Sequence, residues 1–92
     1  MPKYMIERTV PGAGQMDLAA LSAIAAKSNE VLRGLGPDIQ WIHSYVSDDK
    51  IVCVYYAANE DIIREHGRCG GFPVDAIQAV HGIIDPATAE LV

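Results

Sequence analysis

Basic residues are scarce in this sequence. Its 92 residues include seven lysines and arginines against twelve aspartates and glutamates, which gives a formal net charge of −5. The basic residues are scattered along the chain rather than grouped. A protein that binds DNA or RNA neutralises phosphates with clustered lysines and arginines. We therefore expect no nucleic-acid partner.

Cysteines and long apolar runs are also few. Cys53 and Cys69 are too few to form the disulfide framework that holds small secreted domains together. The first ten residues carry charges where a secretion signal needs an apolar centre. No apolar run approaches the ~20 residues that cross a bilayer. These absences predict reduced thiols, a soluble cytoplasmic protein and no membrane partner.

Compact catalytic and metal-binding motifs are missing as well. His43, His66 and His81 show none of the short spacings (HxH, HxxxH, HExxH) with which one segment can hold a metal ion. The Gly12–Gly14 segment lacks the third glycine of a dinucleotide-binding turn. Any metal site must therefore be assembled from different segments of the chain.

Apolar side chains, by contrast, are abundant. Half of the residues are hydrophobic, and a chain of 92 residues is expected to form a single domain over residues 1–92. A domain this small leaves roughly a third or more of its surface unburied. An apolar content this high on so small a domain favours self-association.

The pattern of strand and helix formers predicts the element order βαββαβ. Strands are predicted where apolar residues alternate or run together, and helices where apolar residues recur at helical spacing between capping residues. The predicted segments are a strand Lys3–Val10, a helix Asp17–Leu35, two strands within Ile39–Ala58, a helix from the Asn59 cap to Gly70 and Gly71, a strand Ala76–Ile84 and a peripheral tail Ala87–Val92. This order predicts a ferredoxin-like α+β sandwich, in which two helices cover one face of a four-stranded antiparallel sheet.

The segment Ile39–Ala58 predicts a β-hairpin with two apolar faces. If its turn pairs Val46 with Ile51, one face carries Ile42, Ser44 and Val46 beside Ile51, Cys53 and Tyr55, and the other carries Trp41, His43 and Tyr45 beside Val52, Val54 and Tyr56. A sheet with one wet face should instead alternate apolar with polar residues. We expect the helices to cover one face and a second copy of the chain to cover the other. The resulting homodimer would enclose a barrel-like aromatic space.

A second register is open for the same hairpin. A three-residue loop would pair Ser47 with Ile51 and place Cys53 and Tyr55 beside His43. A thiol would then join the enclosed space, and the site would favour softer metal ions.

Glu7 interrupts an otherwise apolar strand. In an enclosed space its carboxylate could ligate a metal ion or act as a general base. The alternative is a salt bridge or simple exposure, since carboxylates are seldom buried without a partner. Arg8 points to the opposite face by strand alternation, so we do not expect it to be that partner.

Each histidine has a functional and a structural interpretation. His43 could be a ligand or an acid–base group on the aromatic face, or a hydrogen-bonded interface residue. His66 lies on the apolar stripe of the second helix, either as a buried imidazole near the helix end or paired with the Cys69 thiolate. His81 lies on the predicted last strand.

Three aromatic residues could line a pocket for a flat organic ligand, namely Trp41, Tyr45 and Tyr55. Such residues more often only pack against their neighbours. We take the three as the candidate ligand-binding set.

Several ordered motifs carry a resemblance to a known family. They are Tyr4 with Glu7-Arg8, Pro11-Gly12-Ala13, Trp41 with Ser44-Tyr45-Val46, Asp49-Lys50, Cys53-Val54-Tyr55, Ile63-Arg64-Glu65-His66, Gly71-Phe72-Pro73, Ile84-Asp85-Pro86 and Thr88-Ala89. With these motifs over nearly its whole length, the chain resembles a group of small bacterial ferredoxin-like proteins, once of unknown function and now often described as nickel-binding. The resemblance implies a homodimer with a barrel-like interior and, in at least some members, a Ni²⁺ site.

Three functions follow from these features. The leading hypothesis is a homodimer that sequesters or buffers Ni²⁺ without turnover, with ligands among Glu7, His43, His66 and His81. Other divalent ions suit the same donors, and the affinity order alone would favour copper. A second hypothesis is a barrel that binds or converts a small aromatic compound, in which His43 or Glu7 moves protons. The third is a partner-binding module whose polar interior has no function of its own.

Overall fold

The computed structural model describes residues 1–92 and has the predicted element order. Its elements are the strands β1 (Lys3–Thr9), β2 (Ile39–Val46), β3 (Lys50–Ala57) and β4 (Ala76–Val80), the helices α1 (Leu18–Leu35) and α2 (Glu60–Gly70), and two 3-10 helices (Ala13–Gln15 and Pro86–Glu90). The strands form one antiparallel sheet in the order β2-β3-β1-β4. The ferredoxin-like prediction is therefore confirmed.

The helix boundaries follow from local capping. The Asp17 side chain accepts a hydrogen bond from the Ala20 N–H at 2.9 Å, and the Asn59 side chain accepts one from the Ile62 N–H at 3.0 Å. Each cap satisfies one of the backbone donors that a helix start leaves free. At the end of α2, Gly71 adopts a left-handed conformation with φ of 71°, which is favourable only for glycine and a few polar residues. The predicted starts and ends of the helices are confirmed, because they depend on capping residues that are close in sequence.

The last strand is shorter than predicted. The sequence pattern extends it from Ala76 to Ile84, but β4 ends at Val80. Val80 pairs with Lys3, which is the first residue of β1. Beyond Val80 the chain has no neighbouring strand to supply hydrogen bonds, so the strand stops there.

The hairpin between β2 and β3 has the first of the two predicted registers. Val46 pairs with Ile51. The alternative register, in which a three-residue loop pairs Ser47 with Ile51, is therefore wrong. The register then shifts at a bulge between Trp41 and His43. Trp41 pairs with Tyr55 and lies on the same face as Tyr55, which is opposite to the face of His43. A bulge adds one residue to one strand and reverses the alternation beyond it. The predicted grouping of Trp41 with His43 and Tyr45 is therefore wrong.

The two faces of the sheet are unequal. The face toward the helices, here called the inner face, supplies most of the core: Ile6, Ile39, Ile51, Cys53, Tyr55 and Ala57 are all buried, and Ile63 of α2 packs on them. The opposite face, here called the outer face, presents the alternate residues of the same strands. They are Lys3, Met5 and Glu7 of β1, His43 and Tyr45 of β2, and Val52, Val54 and Tyr56 of β3.

The tail after β4 also stays outside the core. Ile83, Ile84 and Leu91 are 74%, 87% and 78% exposed. The radius of gyration is 14.3 Å, whereas a compact domain of this length has one of about 12 Å. The tail, which lies outside the core, adds to this radius. Neither helix combines the length and the hydropathy that crossing a bilayer requires.

Candidate functional site

The four predicted metal ligands lie in three separate places. Glu7 and His43 are on the outer face, His66 is buried between α2 and the inner face, and His81 follows the end of β4. Within one chain, no three histidine, cysteine, aspartate or glutamate side chains come close enough to hold a metal ion together. The sheet thus brings only Glu7 and His43 to a common surface.

Strand pairing defines the geometry of that surface. Glu7 lies opposite Val52, which in turn lies opposite Tyr45, and His43 lies opposite Val54 in the adjacent row. Glu7 and His43 are therefore separated by two inter-strand spacings across β3 and by two residues along the strands, which places their Cα atoms about 12 Å apart. The His43 ring stands edge-on to the Tyr45 ring, with centroids 4.9 Å apart, and both side chains are exposed.

Glu7 has one partner in the single chain. The Lys50 Nζ atom lies 3.5 Å from Glu7 Oε1, and the two side chains are 55% and 35% exposed. A pair this open to solvent contributes little stability, about 0–1 kcal/mol. In the single chain Glu7 therefore forms a salt bridge, as one of the two interpretations expects. The ion pair with Lys50 is weak enough for a metal ion to displace Lys50.

Arg8 lies on the inner face, as strand alternation predicts. Its side chain is only 4% exposed. It donates hydrogen bonds to the Pro73 carbonyl oxygen at 2.7 Å, the Tyr55 hydroxyl at 3.2 Å and Cys53 Sγ at 3.3 Å, and its guanidinium lies 5.6 Å from the centre of the Phe72 ring. Sequence reasoning did not select Arg8 as a functional residue. The available signal was its alternation with Ile6, which marked it as a cation on the core side of a strand.

His66 is fully buried beside Arg8. Ser28 Oγ of α1 lies 3.1 Å from its Nε2 atom, and its Nδ1 atom has no hydrogen-bond partner. Burial lowers the pKa of His66 to about 4, and the nearby positive charge of Arg8 adds to this effect, while the Ser28 contact opposes it. The imidazole is therefore neutral at physiological pH.

Of the two interpretations of His66, the buried imidazole is confirmed and the pairing with Cys69 is wrong. Cys69 is exposed, and its thiol lies 3.4 Å from Glu65 Oε1 rather than near the imidazole. The hydrogen bond to Glu65 raises the pKa of Cys69, and partial desolvation adds to it, so the thiolate is disfavoured. The two residues diverge because α2 turns His66 into the core and Cys69 toward solvent.

The aromatic candidates are divided between the two faces. Tyr45 is on the outer face and 63% exposed, whereas Trp41 and Tyr55 face the helices. Burial raises the pKa of Tyr55 to about 12, with Cys53 adding to the effect and Arg8 opposing it, so the phenol is neutral. The Trp41 indole N–H donates to Ser44 Oγ at 3.0 Å. An aromatic ligand between two outer faces would therefore meet only Tyr45 of the three predicted residues.

A cleft of about 360 Å³ lies between α1 and the inner face. Its lining is largely apolar and includes Leu21 and Ile24 of α1, together with Trp41. Arg8 and His66 also line it, with Tyr55, Ser28 and Cys53. Volumes of ~300–1,000 Å³ with a few convergent polar groups are typical of small-ligand sites. The protein thus has two candidate sites, the outer face and this cleft.

Comparisons with known proteins agree with the fold and identify the family. Residues 4–80 match the family described as nickel responsive protein SCO4226-like. Among solved structures, the crystal structure of SCO4226 from Streptomyces coelicolor A3(2) is similar with a TM-score of 0.75 and 12% identity, over 89% of this chain and 99% of that one. No curated protein matches the chain significantly. The chain therefore belongs to the SCO4226-like family of nickel responsive proteins.

Proposed function

We propose that the protein is a homodimer that binds Ni²⁺ between the outer faces of two sheets and sequesters it without turnover. Membership of a family described as nickel responsive supports the choice of ion. The observation that carries the proposal is the position of a carboxylate and an imidazole, Glu7 and His43, on the one face of the sheet that no helix covers.

The proposed dimer rests on apolar groups that the single chain covers only in part. Met5, Val52 and Val54 surround Glu7 and His43 on the outer face and are half-buried, and Tyr45 is largely exposed beside them. The projecting tail adds Ile83, Ile84 and Leu91. A second copy that packed on the outer face would remove these groups from water, and the hydrophobic effect would favour that association.

The proposed metal site needs the second copy because one chain does not gather three ligands. A two-fold dimer presents each residue twice, so two Glu7 and two His43 side chains would face one another across the interface. Imidazole and carboxylate donors suit Ni²⁺ and also Cu²⁺ and Zn²⁺. The metal would displace Lys50 from Glu7.

The other two histidines have different expected roles. His66 is on the opposite side of the sheet and in contact with Ser28, so we do not include it among the proposed ligands. His81 is exposed at the start of the tail and could reach the metal only if the tail packs on the partner chain. The sheet does not position His81, because this residue follows the end of β4. Whether His81 is a ligand is therefore left to experiment.

Calorimetric titration of the metal-stripped protein with Ni²⁺, run beside Zn²⁺ and Cu²⁺ and paired with native mass spectrometry, tests the proposal. We expect micromolar or tighter binding at a whole-number ratio per dimer, lost in Glu7→Gln and in His43→Gln. Glu30→Gln, an exposed carboxylate on α1, is the matched control and should bind as the parent does. His81→Gln decides whether the tail contributes. Absence of heat for all three ions, or binding that survives both outer-face changes, would contradict the proposal.

A further inference from the structure

The cleft contains a buried positive charge that no acidic group neutralises. Arg8 forms none of the protein's ion pairs, and its three hydrogen-bond partners are a carbonyl, a phenol and a thiol. The pKa of Asp75 is lowered by its hydrogen bond from Thr9 and, to a smaller extent, by Lys50 and Arg8, yet Asp75 bonds Thr9 and not the guanidinium. A charge that is removed from water without a counter-ion destabilises the folded state. The fold therefore carries a cost that an anion in the cleft would relieve.

The guanidinium also keeps unused donors. Arginine has five N–H groups, and three of them are engaged by Pro73, Tyr55 and Cys53. The planar arrangement of the group suits the two oxygens of a carboxylate. Two N–H groups of Arg8 therefore remain without a partner, one on each terminal nitrogen.

A second unsatisfied polar group lies beside Arg8. The Nδ1 atom of His66 is buried without a partner, while Nε2 lies against Ser28. Buried polar atoms without a partner are rare in native proteins and call for an explanation such as a missing ligand. If Ser28 donates its hydroxyl proton to Nε2, the neutral ring carries its own proton on Nδ1 and offers it to an acceptor.

We infer that this cleft binds a small organic monocarboxylate, whose carboxylate meets Arg8 and His66 and whose apolar body lies against Trp41 and the apolar residues of α1. This site is separate from the proposed nickel site, because the sheet lies between them. The inference therefore does not depend on the proposed function.

The charge of the cleft limits the ligand to one negative charge. Arg8 is the only cation that lines the cleft, and the chain as a whole carries a net charge of −5. A phosphate ester would bring a charge near −2 and would ordinarily meet several basic groups or a run of backbone N–H donors. The lining is otherwise mostly apolar, which favours a ligand with a hydrocarbon or aromatic body over an inorganic anion.

Phenylacetate is a suitable probe, and phenylacetamide is its neutral counterpart of the same shape. Trp41 is the only tryptophan and lines the cleft, so its fluorescence reports on occupancy. We expect a saturable change with phenylacetate and affinity for phenylacetamide that is weaker by about 10- to 100-fold, the range for hydrogen bonds to charged groups. Sodium sulfate at equal ionic strength should not compete.

Two variants locate the site. Arg8→Met keeps the length of the side chain and removes its charge, so the preference for phenylacetate over phenylacetamide should disappear. Because Arg8 is buried, that variant could fail to fold, and Ala25→Leu provides an independent test. Ala25 lines the cleft, and the larger side chain should block both probes. Ala26→Leu, on the adjacent exposed position of the same helix, should leave binding unchanged.

Four results would overturn the inference. They are the absence of any saturable response to phenylacetate at millimolar concentration, equal affinity for the acid and its amide, full competition by sulfate, and binding that persists in Ala25→Leu. Glu7→Gln should retain phenylacetate binding whatever its effect on nickel, which separates this test from that of the proposed function.

Discussion

The outer and inner faces of the sheet carry polar groups in opposite circumstances. On the outer face, Glu7 and His43 remain accessible to water, and the only ion pair there, with Lys50, is open to solvent. On the inner face, Arg8 and His66 are buried. The charge of Arg8 has no counter-ion, and the Nδ1 atom of His66 has no hydrogen-bond partner. The outer face lacks a cover, while the inner face lacks a counter-ion. This difference is the reason for proposing two separate sites of different chemistry on one sheet.

The largest expected difference between the faces concerns packing. Ile6 is fully buried on the inner face, and the adjacent Met5 points to the outer face. Ile6→Ala should lower the free energy of unfolding by about 2–5 kcal/mol, because it leaves a cavity in the core. Met5→Ala should cost less than ~1 kcal/mol in dilute monomer and more at concentrations where the proposed dimer would form. Urea unfolding at two protein concentrations measures both, and a large concentration-independent cost for Met5→Ala would contradict the open outer face.

A smaller effect is expected from pH. The folded-state pKa of His66 is about 4, against an ordinary value of 6.5. As pH falls below 6.5, His66 binds a proton in the unfolded chain but not in the folded chain. The folded state therefore loses stability between pH 6.5 and 4 and regains it as pH rises. The loss should amount to about 3 kcal/mol.

The variant His66→Gln isolates this contribution. Glutamine retains a polar group near Ser28 but does not titrate, so the loss of stability between pH 6.5 and 4 should shrink in the variant. Arg8 stays charged and Tyr55 stays neutral throughout that range. The hydrogen bond from Thr9 lowers the pKa of Asp75, so Asp75 changes the stability only below this pH range. Denaturant unfolding across pH provides the measurement. Parallel curves for parent and variant would mean that His66 is not buried in the neutral form.

The smallest expected effect belongs to the outer-face ion pair. Lys50→Met should change the free energy of unfolding by less than ~1 kcal/mol, because both charges of the pair are exposed. The same change should strengthen the proposed binding of nickel, since the metal would no longer compete with a cation for Glu7. Thermal unfolding and nickel titration of the variant check the two parts. A large loss of stability would show that Glu7 is engaged in a structural pair rather than available to a metal.

The features that could be predicted from the sequence are those with local causes. The Asp17 and Asn59 caps mark the helix starts, and the glycines after each helix mark the ends. The presence of a turn between Val46 and Ile51 follows from the polar residues between two apolar runs, whereas the sequence left two registers open and the structure has the one that pairs Val46 with Ile51. The opposite placement of Glu7 and Arg8 follows from strand alternation. These few signals suffice for the order βαββαβ and hence for the fold.

The features that could not be predicted depend on contacts between distant segments. The bulge that turns Trp41 to the inner face leaves no signal in the alternation of β2. The contact between Ser28 and His66 joins residues 38 positions apart and depends on how α1 packs against α2. The early end of β4 depends on where β1 begins. The cleft is formed by all of these contacts together, which is why its polar groups were not recognised as one site.

A crystal structure of the nickel-loaded protein, with anomalous diffraction measured at the nickel edge, would test the central claim most directly. We expect nickel peaks between two outer faces related by a two-fold axis, within bonding distance of Glu7 and His43 side chains from both copies. Nickel bound at His66 in the cleft, or a nickel-loaded protein whose outer face is covered by no second chain, would contradict it.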